Sequence, residues 1–231
     1  MSWTEITAVD RLVEMFGTPG FRAANKERTS LHPLDVDWLA ASPFCVLATA
    51  DDHGRCDASP KGDPAGQLAH VLDEQTIALA ERPGNMRLDG YRNIMVNPHV
   101  GLNFFVPGRG DTLRINGRAK LIADAPFFDE LVVKGHRPIM CLVVEVEQVF
   151  HHCAKAFMRS KLWDTSTWDP EVLPSVAQLS KVMIPDSPET LAELEEYYSG
   201  SYADKLYPGE SGTGLRGHRS EQPVGDRDRR C

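Results

Sequence analysis

The chain contains no long apolar run. No stretch approaches the ~20 consecutive apolar residues that a helix needs to span a bilayer, so no membrane-crossing helix is expected. The opening residues, Met1-Ser2-Trp3-Thr4-Glu5, have neither the basic nor the apolar segment that directs secretion. Cysteine is sparse and odd in number: Cys45, Cys56, Cys141, Cys153 and Cys231 show no paired short spacing. That argues against a disulfide framework and against a zinc site, and a reduced cytoplasmic protein is the expectation. Positive charge is also short. With 25 Lys and Arg against 33 Asp and Glu the net charge is −8, a poor match for nucleic acid or an anionic membrane. Neither Gly-x-Gly-x-x-Gly after a strand nor a Gly-x-Ser-x-Gly elbow occurs, so neither a Rossmann nicotinamide domain nor an α/β-hydrolase nucleophile is indicated.

What remains is globular in composition: 231 residues, 42% hydrophobic and 25% charged. Residues 1–41 read as helical and capping material, with Leu12, Val13 and Phe16 at helical spacing and a short helix over 35–40 closed by Ser42-Pro43. From Phe44 the period changes to two. Phe44–Thr49 is a buried strand, Asp51-Asp52-His53-Gly54 a tight hairpin turn, and Arg55–Lys61 the returning strand. Strands are expected over 68–71, 76–80, 100–106, 112–121 and 139–150, with helices over 86–96 and 125–133. These strands, with two intervening helices and mostly hairpin connections, suggest an antiparallel barrel with helical excursions. Further helices are expected over 152–163, 175–182 and 188–198, the last capped by Ser187. Residues 209–231 are rich in Gly, Arg and Asp and read as a disordered tail.

Two segments carry the chemistry. In Asp57-Ala58-Ser59-Pro60-Lys61-Gly62, alternation puts Ser59 and Lys61 on one face of a strand. In Glu81-Arg82-Pro83-Gly84-Asn85-Met86-Arg87, a Pro-Gly turn leads into a helix, whose first N–H groups favour an anion. In an acidic chain, Lys61, Arg82, Arg87 and Arg92 form a local cationic concentration suited to a small phosphorylated ligand. Ordinary solvated side chains at a strand end and a turn are the plain alternative. His151-His152-Cys153 invites a metal reading, but adjacent His residues on a strand point to opposite sides, and no metal site is expected.

The ordered set Ser59-Pro60-Lys61-Gly62, Arg82-Pro83-Gly84-Asn85, Asn93-Ile94 through Asn97-Pro98, Phe105-Val106-Pro107-Gly108, Leu113-Arg114-Ile115-Asn116-Gly117 and His152-Cys153-Ala154-Lys155-Ala156 resembles the pyridoxamine 5′-phosphate oxidase-like flavoproteins. The likeness spans about residues 42–163 and is nearest to an uncharacterised FMN-dependent branch. It implies a split antiparallel β-barrel with N- and C-terminal helical additions, the barrel at 42–163 and a helical extension at 164–208. It also implies a homodimer with FMN at the subunit interface and a small organic substrate. By resemblance, Ser59, Pro60, Lys61 and Gly62 lie on the strand that lines the flavin. Arg82, Asn85 and Arg87 fall where phosphate ligands are expected, and Asn93 sits on the helix that closes over it. Thr112 and Arg114 fall on the strand that flanks the ring, with a solvated barrel face as the plain alternative for Arg114. In a dimer Lys155, Arg159 and Trp163 are candidates to reach the partner's flavin, with capping of the core as the equal alternative for Trp163.

The C-terminal Trp/Arg signature of true pyridoxamine phosphate oxidases is not found, so vitamin B6 oxidation is not expected. The implied function is hydride or electron transfer between FMN and a small substrate. The alternative is flavin, deazaflavin or haem binding without turnover.

Overall fold

A computed structural model describes residues 1–207; the reading of 209–231 as a tail lies outside the described residues. The chain divides into two compact units, Met1–Leu173 and a second from Pro174 onward.

The first unit is built on seven antiparallel strands: β1 (Phe44–Ala50), β2 (Cys56–Gly62), β3 (Ala69–Asp73), β4 (Thr76–Ala80), β5 (His99–Phe105), β6 (Thr112–Ile122) and β7 (Cys141–His152). Their spatial order is β2-β1-β5-β6-β7-β4-β3. β2 and β3 are therefore the two unjoined edges of a split barrel that does not close. The β1–β2 hairpin forms as expected, because Asp51 Oδ1 accepts from the N–H groups of His53 and Arg55, while Gly54 supplies φ +78° at the bend.

Three helices precede the barrel: α1 (Val9–Phe16), α2 (Phe21–Ala24) and α3 (Pro33–Ala41). α4 (Asp89–Val96) joins β4 to β5, and α5 (Lys155–Ser160) follows β7. α4 starts later than the expected residue 86. Met86 takes a left-handed φ of +59° and Asn85 Oδ1 ties down the Arg87 N–H, so the chain is still turning there. The segment expected as a helix over 125–133 is a 3₁₀ turn over Pro126–Leu131. α5 is shorter than expected, since Lys161 is left-handed at φ +52° and stops it.

Alternation along β1 points Cys45, Leu47 and Thr49 inward. The register continues this inward row to Phe104, Leu102 and Val100 on β5 and to Leu113 and Ile115 on β6. These side chains, with Ile77, Val144 and Val149, form the core, and each large apolar group buried this way contributes about 1.5–3 kcal/mol. A smaller cluster of Phe128, Leu131 and Cys141 closes one end. Cys45 and Cys141 are core thiols, with burial pushing them up to about 12 and about 11.

In the second unit, α6 (Val176–Met183) carries a Ser175–Gln178 capping box. α7 (Leu191–Tyr197) is capped by Thr190 with Glu193, not by Ser187. No helix among the described residues is long and apolar enough to cross a membrane.

Candidate functional site

Edge strand β2 extends the inward row with polar groups. Its register sets Asp57 opposite Thr49, Ser59 opposite Leu47 and Lys61 opposite Cys45. The inward face of the sheet is thus apolar in the centre and polar at this edge. Helix α4 lies over that polar edge, anchored by buried Tyr91 and Ile94.

The approach is close because residue 90 is glycine. A β-carbon there would stand 3.4 Å from Asp57 Oδ2, 3.6 Å from Thr49 Oγ1 and 3.8 Å from Ser59 Oγ. Asn93 Nδ2 donates to Thr49 Oγ1 over 3.0 Å, and Ser59 Oγ donates to Asp57 Oδ2 over 3.1 Å. Next along β2, Lys61 Nζ donates to Glu81 Oε2 over 2.9 Å and to Tyr91 Oη over 2.5 Å; Tyr91 Oη in turn donates to Glu81. Burial, then the Glu81 hydrogen bond and charge, push the Tyr91 phenol well above its ordinary range. It is therefore a neutral donor at physiological pH.

Ser59 and Lys61 thus share the inner face of β2 beneath α4, while Asn93, on α4, meets Thr49 at the Asp57 end of that row. Arg82 is placed otherwise, against the expectation of a phosphate ligand. Its Nε donates to Asp63 Oδ2 over 2.6 Å, Nη2 to the Leu131 carbonyl over 2.9 Å and Nη1 to the His136 carbonyl over 3.4 Å. All three nitrogens are engaged internally, and the side chain is only 12% exposed. Arg82 braces β4 against the 3₁₀ segment, because its fork fits a carboxylate and two carbonyls at once.

Asn85 and Arg87 lie on the exposed approach to α4, with Arg87 paired to Asp89. Arg92 on α4 is exposed and has no side-chain partner among the described residues.

The other expected residues face the opposite way. Pro60 has the opposite parity to Lys61. Arg114 has the opposite parity to Leu113 and Ile115; it donates to Asn116 Oδ1 and lies 5.5 Å from the Phe150 ring. Thr112 is buried beside His152 in the register. Gly62 ends β2 against the Pro43 carbonyl. An aromatic series, Phe44–Phe105–Phe157–Trp163, crosses this outer side with ring centres 5.8–6.0 Å apart. Trp163 Nε1 donates to the Arg109 carbonyl over 2.6 Å. Lys155 and Arg159 project from α5 beside it and are exposed. Ser59 and Lys61 therefore face the inner side of the sheet, whereas Arg114 and Trp163 lie on its outer side.

Near the base of β7, Asp35 is wholly buried and accepts from both Arg28 nitrogens, the His32 N–H and His151 Nε2. Burial by itself would raise its pKa, but these donors outweigh it and hold the carboxyl below the usual range. His151 is thereby committed to the fold. No group of three His, Cys, Asp or Glu side chains among the described residues is arranged to hold a metal. A groove of about 350 Å³ lies elsewhere, lined by residues of mixed charge that include Asp73, Gln75, Arg118 and Glu145.

Asp57, Glu81 and Tyr91 belong to the site but were not singled out in the sequence. Asp57 was within reach, since it shares parity with Ser59 and Lys61. Glu81 and Tyr91 meet Lys61 only through the packing of α4.

Residues 32–153, just over half of the chain, match the model of the pyridoxamine 5′-phosphate oxidase family. The chain belongs to that family. The matched segment holds all seven strands and α4, so the β2–α4 edge is part of the pyridoxamine 5′-phosphate oxidase-type framework. No curated protein matches the chain. Similar solved structures include a candidate pyridoxamine 5′-phosphate oxidase from Lactobacillus delbrueckii, 23% identical, covering 54% of this chain and 98% of that one, with a TM-score of 0.43. HupZ of Group A Streptococcus is 19% identical over 52% of this chain and 93% of that one, TM-score 0.42. HutZ, the heme storage protein of Vibrio cholerae, is 17% identical over 52% and 93%, TM-score 0.38.

Proposed function

We propose that the chain binds FMN and holds its terminal phosphate at the β2–α4 edge. The observation that supports this best is the Lys61 ammonium and the Ser59 hydroxyl on one face of β2 beneath α4, with the Asn93 amide on the helix above the same row. Exposed Arg87 and Arg92 lie on the segment that leads into and forms the same helix, in a chain of net charge −8. A phosphate dianion requires two or three charge-assisted donors, which Lys61 and Ser59 supply by leaving Glu81 and Asp57 at this part-exposed edge. Arg82 is left out of the set because its nitrogens are engaged in the interior by Asp63 and two carbonyls.

When bound, FMN supplies hydride or electron transfer, which we assign to a small organic substrate. The chain's own residues hold the phosphate, orient the ring and exclude water. No acid–base pair among them is required for that chemistry.

Arg114, Lys155, Arg159 and Trp163 stand apart from the inner face of β2, so we do not place them on a flavin anchored at Lys61 of the same copy. The outer side of β1, β2 and β5 carries Phe44, Val46, Ala48, Ala58, Pro60 and Phe105, exposed or half-buried, a flat apolar surface suited to a homodimer. The free thiols fit a reducing cytoplasm.

The test is to release the ligand of the purified protein by heat and identify it chromatographically, then to follow reduction by NADH or NADPH and re-oxidation by candidate acceptors. FMN is the expected ligand. Recovery of FAD, a deazaflavin, haem or nothing counts against the reading. FMN without any redox turnover favours a carrier.

A further inference from the structure

Lys61, Glu81 and Tyr91 come from three elements, β2, the segment after β4 and α4, and close on one another in a complete hydrogen-bonded triangle. The ammonium also lies 4.7 Å from the centre of the Tyr91 ring. One carboxylate balances one ammonium, so this corner is electrostatically satisfied without any ligand. A phosphate arriving at Lys61 meets Glu81 already there, and two anions crowded on one ammonium repel each other.

Glu81 is free to leave in a way that the carboxylate of Asp63 is not. Its side chain is 25% exposed and bonds only to Lys61 and Tyr91 among the described residues. Its backbone is fixed separately, by the N–H donated to the Met140 carbonyl, so the carboxylate can turn to water without moving the strand. Asp63, by contrast, is 2% exposed and locked on Arg82.

We propose that Glu81 is a built-in stand-in for the ligand's phosphate, holding Lys61 in the free protein and giving way when a terminal phosphate binds. Tyr91 bridges in both states, its oxygen accepting from Lys61 and its proton donated to whichever anion is present. This rests on the reading that a phosphorylated ligand is held at Lys61. Its consequence is selectivity. A phosphate dianion displaces Glu81, whereas a ligand carboxylate offers Lys61 nothing that Glu81 does not already supply.

The test is calorimetric titration of inorganic phosphate into the full chain and into Glu81→Gln, Glu81→Ala, Tyr91→Phe and Lys61→Ala. Both Glu81 variants should bind phosphate about tenfold tighter than the parent or better, and Tyr91→Phe should bind it more weakly. The Ala variant serves if the Gln variant folds poorly. Unchanged or weaker phosphate binding in whichever Glu81 variant folds overturns the proposal. Lys61→Ala separates the two ways of failing. If it binds phosphate and FMN like the parent, the phosphate reading of β2 falls as well. If it loses phosphate while the Glu81 variants gain nothing, that reading stands and Glu81 is only a structural tie.

Discussion

The guanidinium of Arg82 and the carboxylate of Asp63 meet at 2.6 Å in the interior, with 12% and 2% of their side chains exposed. Breaking a buried pair from one side costs about 3–5 kcal/mol, because the remaining charge keeps its desolvation penalty. Arg82→Ala should therefore lower the urea midpoint strongly, and Arg82→Lys should rescue little, since a point charge cannot serve one carboxylate and two carbonyls. An Arg82→Ala protein as stable as the parent but poor at binding FMN would return Arg82 to the phosphate site.

Asp35 should govern the acid limb of stability. Its pKa is held below the usual 3.8, net of burial, by Arg28, the His32 N–H and His151. A carboxyl depressed in the folded state contributes stability that is complete above its unfolded pKa and is lost as pH falls through the folded value. The gap in urea midpoint between the parent and Asp35→Asn should stay constant above about pH 5 and shrink below about pH 4. A gap independent of pH down to acid unfolding would contradict this.

Gly117 sits at the bulge between β6 and β7, where a β-carbon would lie 2.0 Å from the Glu145 carbonyl oxygen. Gly117→Ala should cost at least about 3 kcal/mol, since only a backbone shift relieves the clash. Gly108→Ala, at φ +83° with nothing within 4 Å, should cost only about 1–2 kcal/mol from backbone strain. Equal losses in thermal melts of the two variants would contradict this reading of the bulge.

The proposed homodimer is tested by light scattering at micromolar concentration. Twice the chain mass is expected, and substituting Ala58 with Asp on the flat outer face should yield monomers with weakened FMN binding. A monomer that retains flavin would rule out the interface reading.

Much of this fold is legible in the sequence because its determinants are local. Asp51 and Gly54 specify the first hairpin through a side-chain cap and a positive φ, whereas the uninterrupted apolar run Phe44–Ala48 marks a strand without telling which of its faces turns inward. Ser59 and Lys61 share a face because side chains alternate along a strand. The role of Arg82 was not legible. Its partners Asp63, Leu131 and His136 lie 19, 49 and 54 residues away, and no period encodes such contacts. The α4 start was misplaced because Met86 is left-handed, which composition does not announce. The pattern Thr-x-x-Glu at Thr190–Glu193 is a local capping signal, and it outweighs Ser187 as the start of α7. The separation of Arg114 from Lys61 follows from strand order, which alternation alone does not supply.

The most direct test of the central claim compares the dissociation constants of FMN and riboflavin for the parent and for Lys61→Ala. The two ligands differ only in the phosphate. The parent should bind FMN at least about tenfold tighter than riboflavin, and Lys61→Ala should lose most of that difference with its riboflavin affinity unchanged. Equal affinity of the parent for both ligands, or a phosphate preference that survives in Lys61→Ala, would contradict the assignment of the phosphate to the β2–α4 edge.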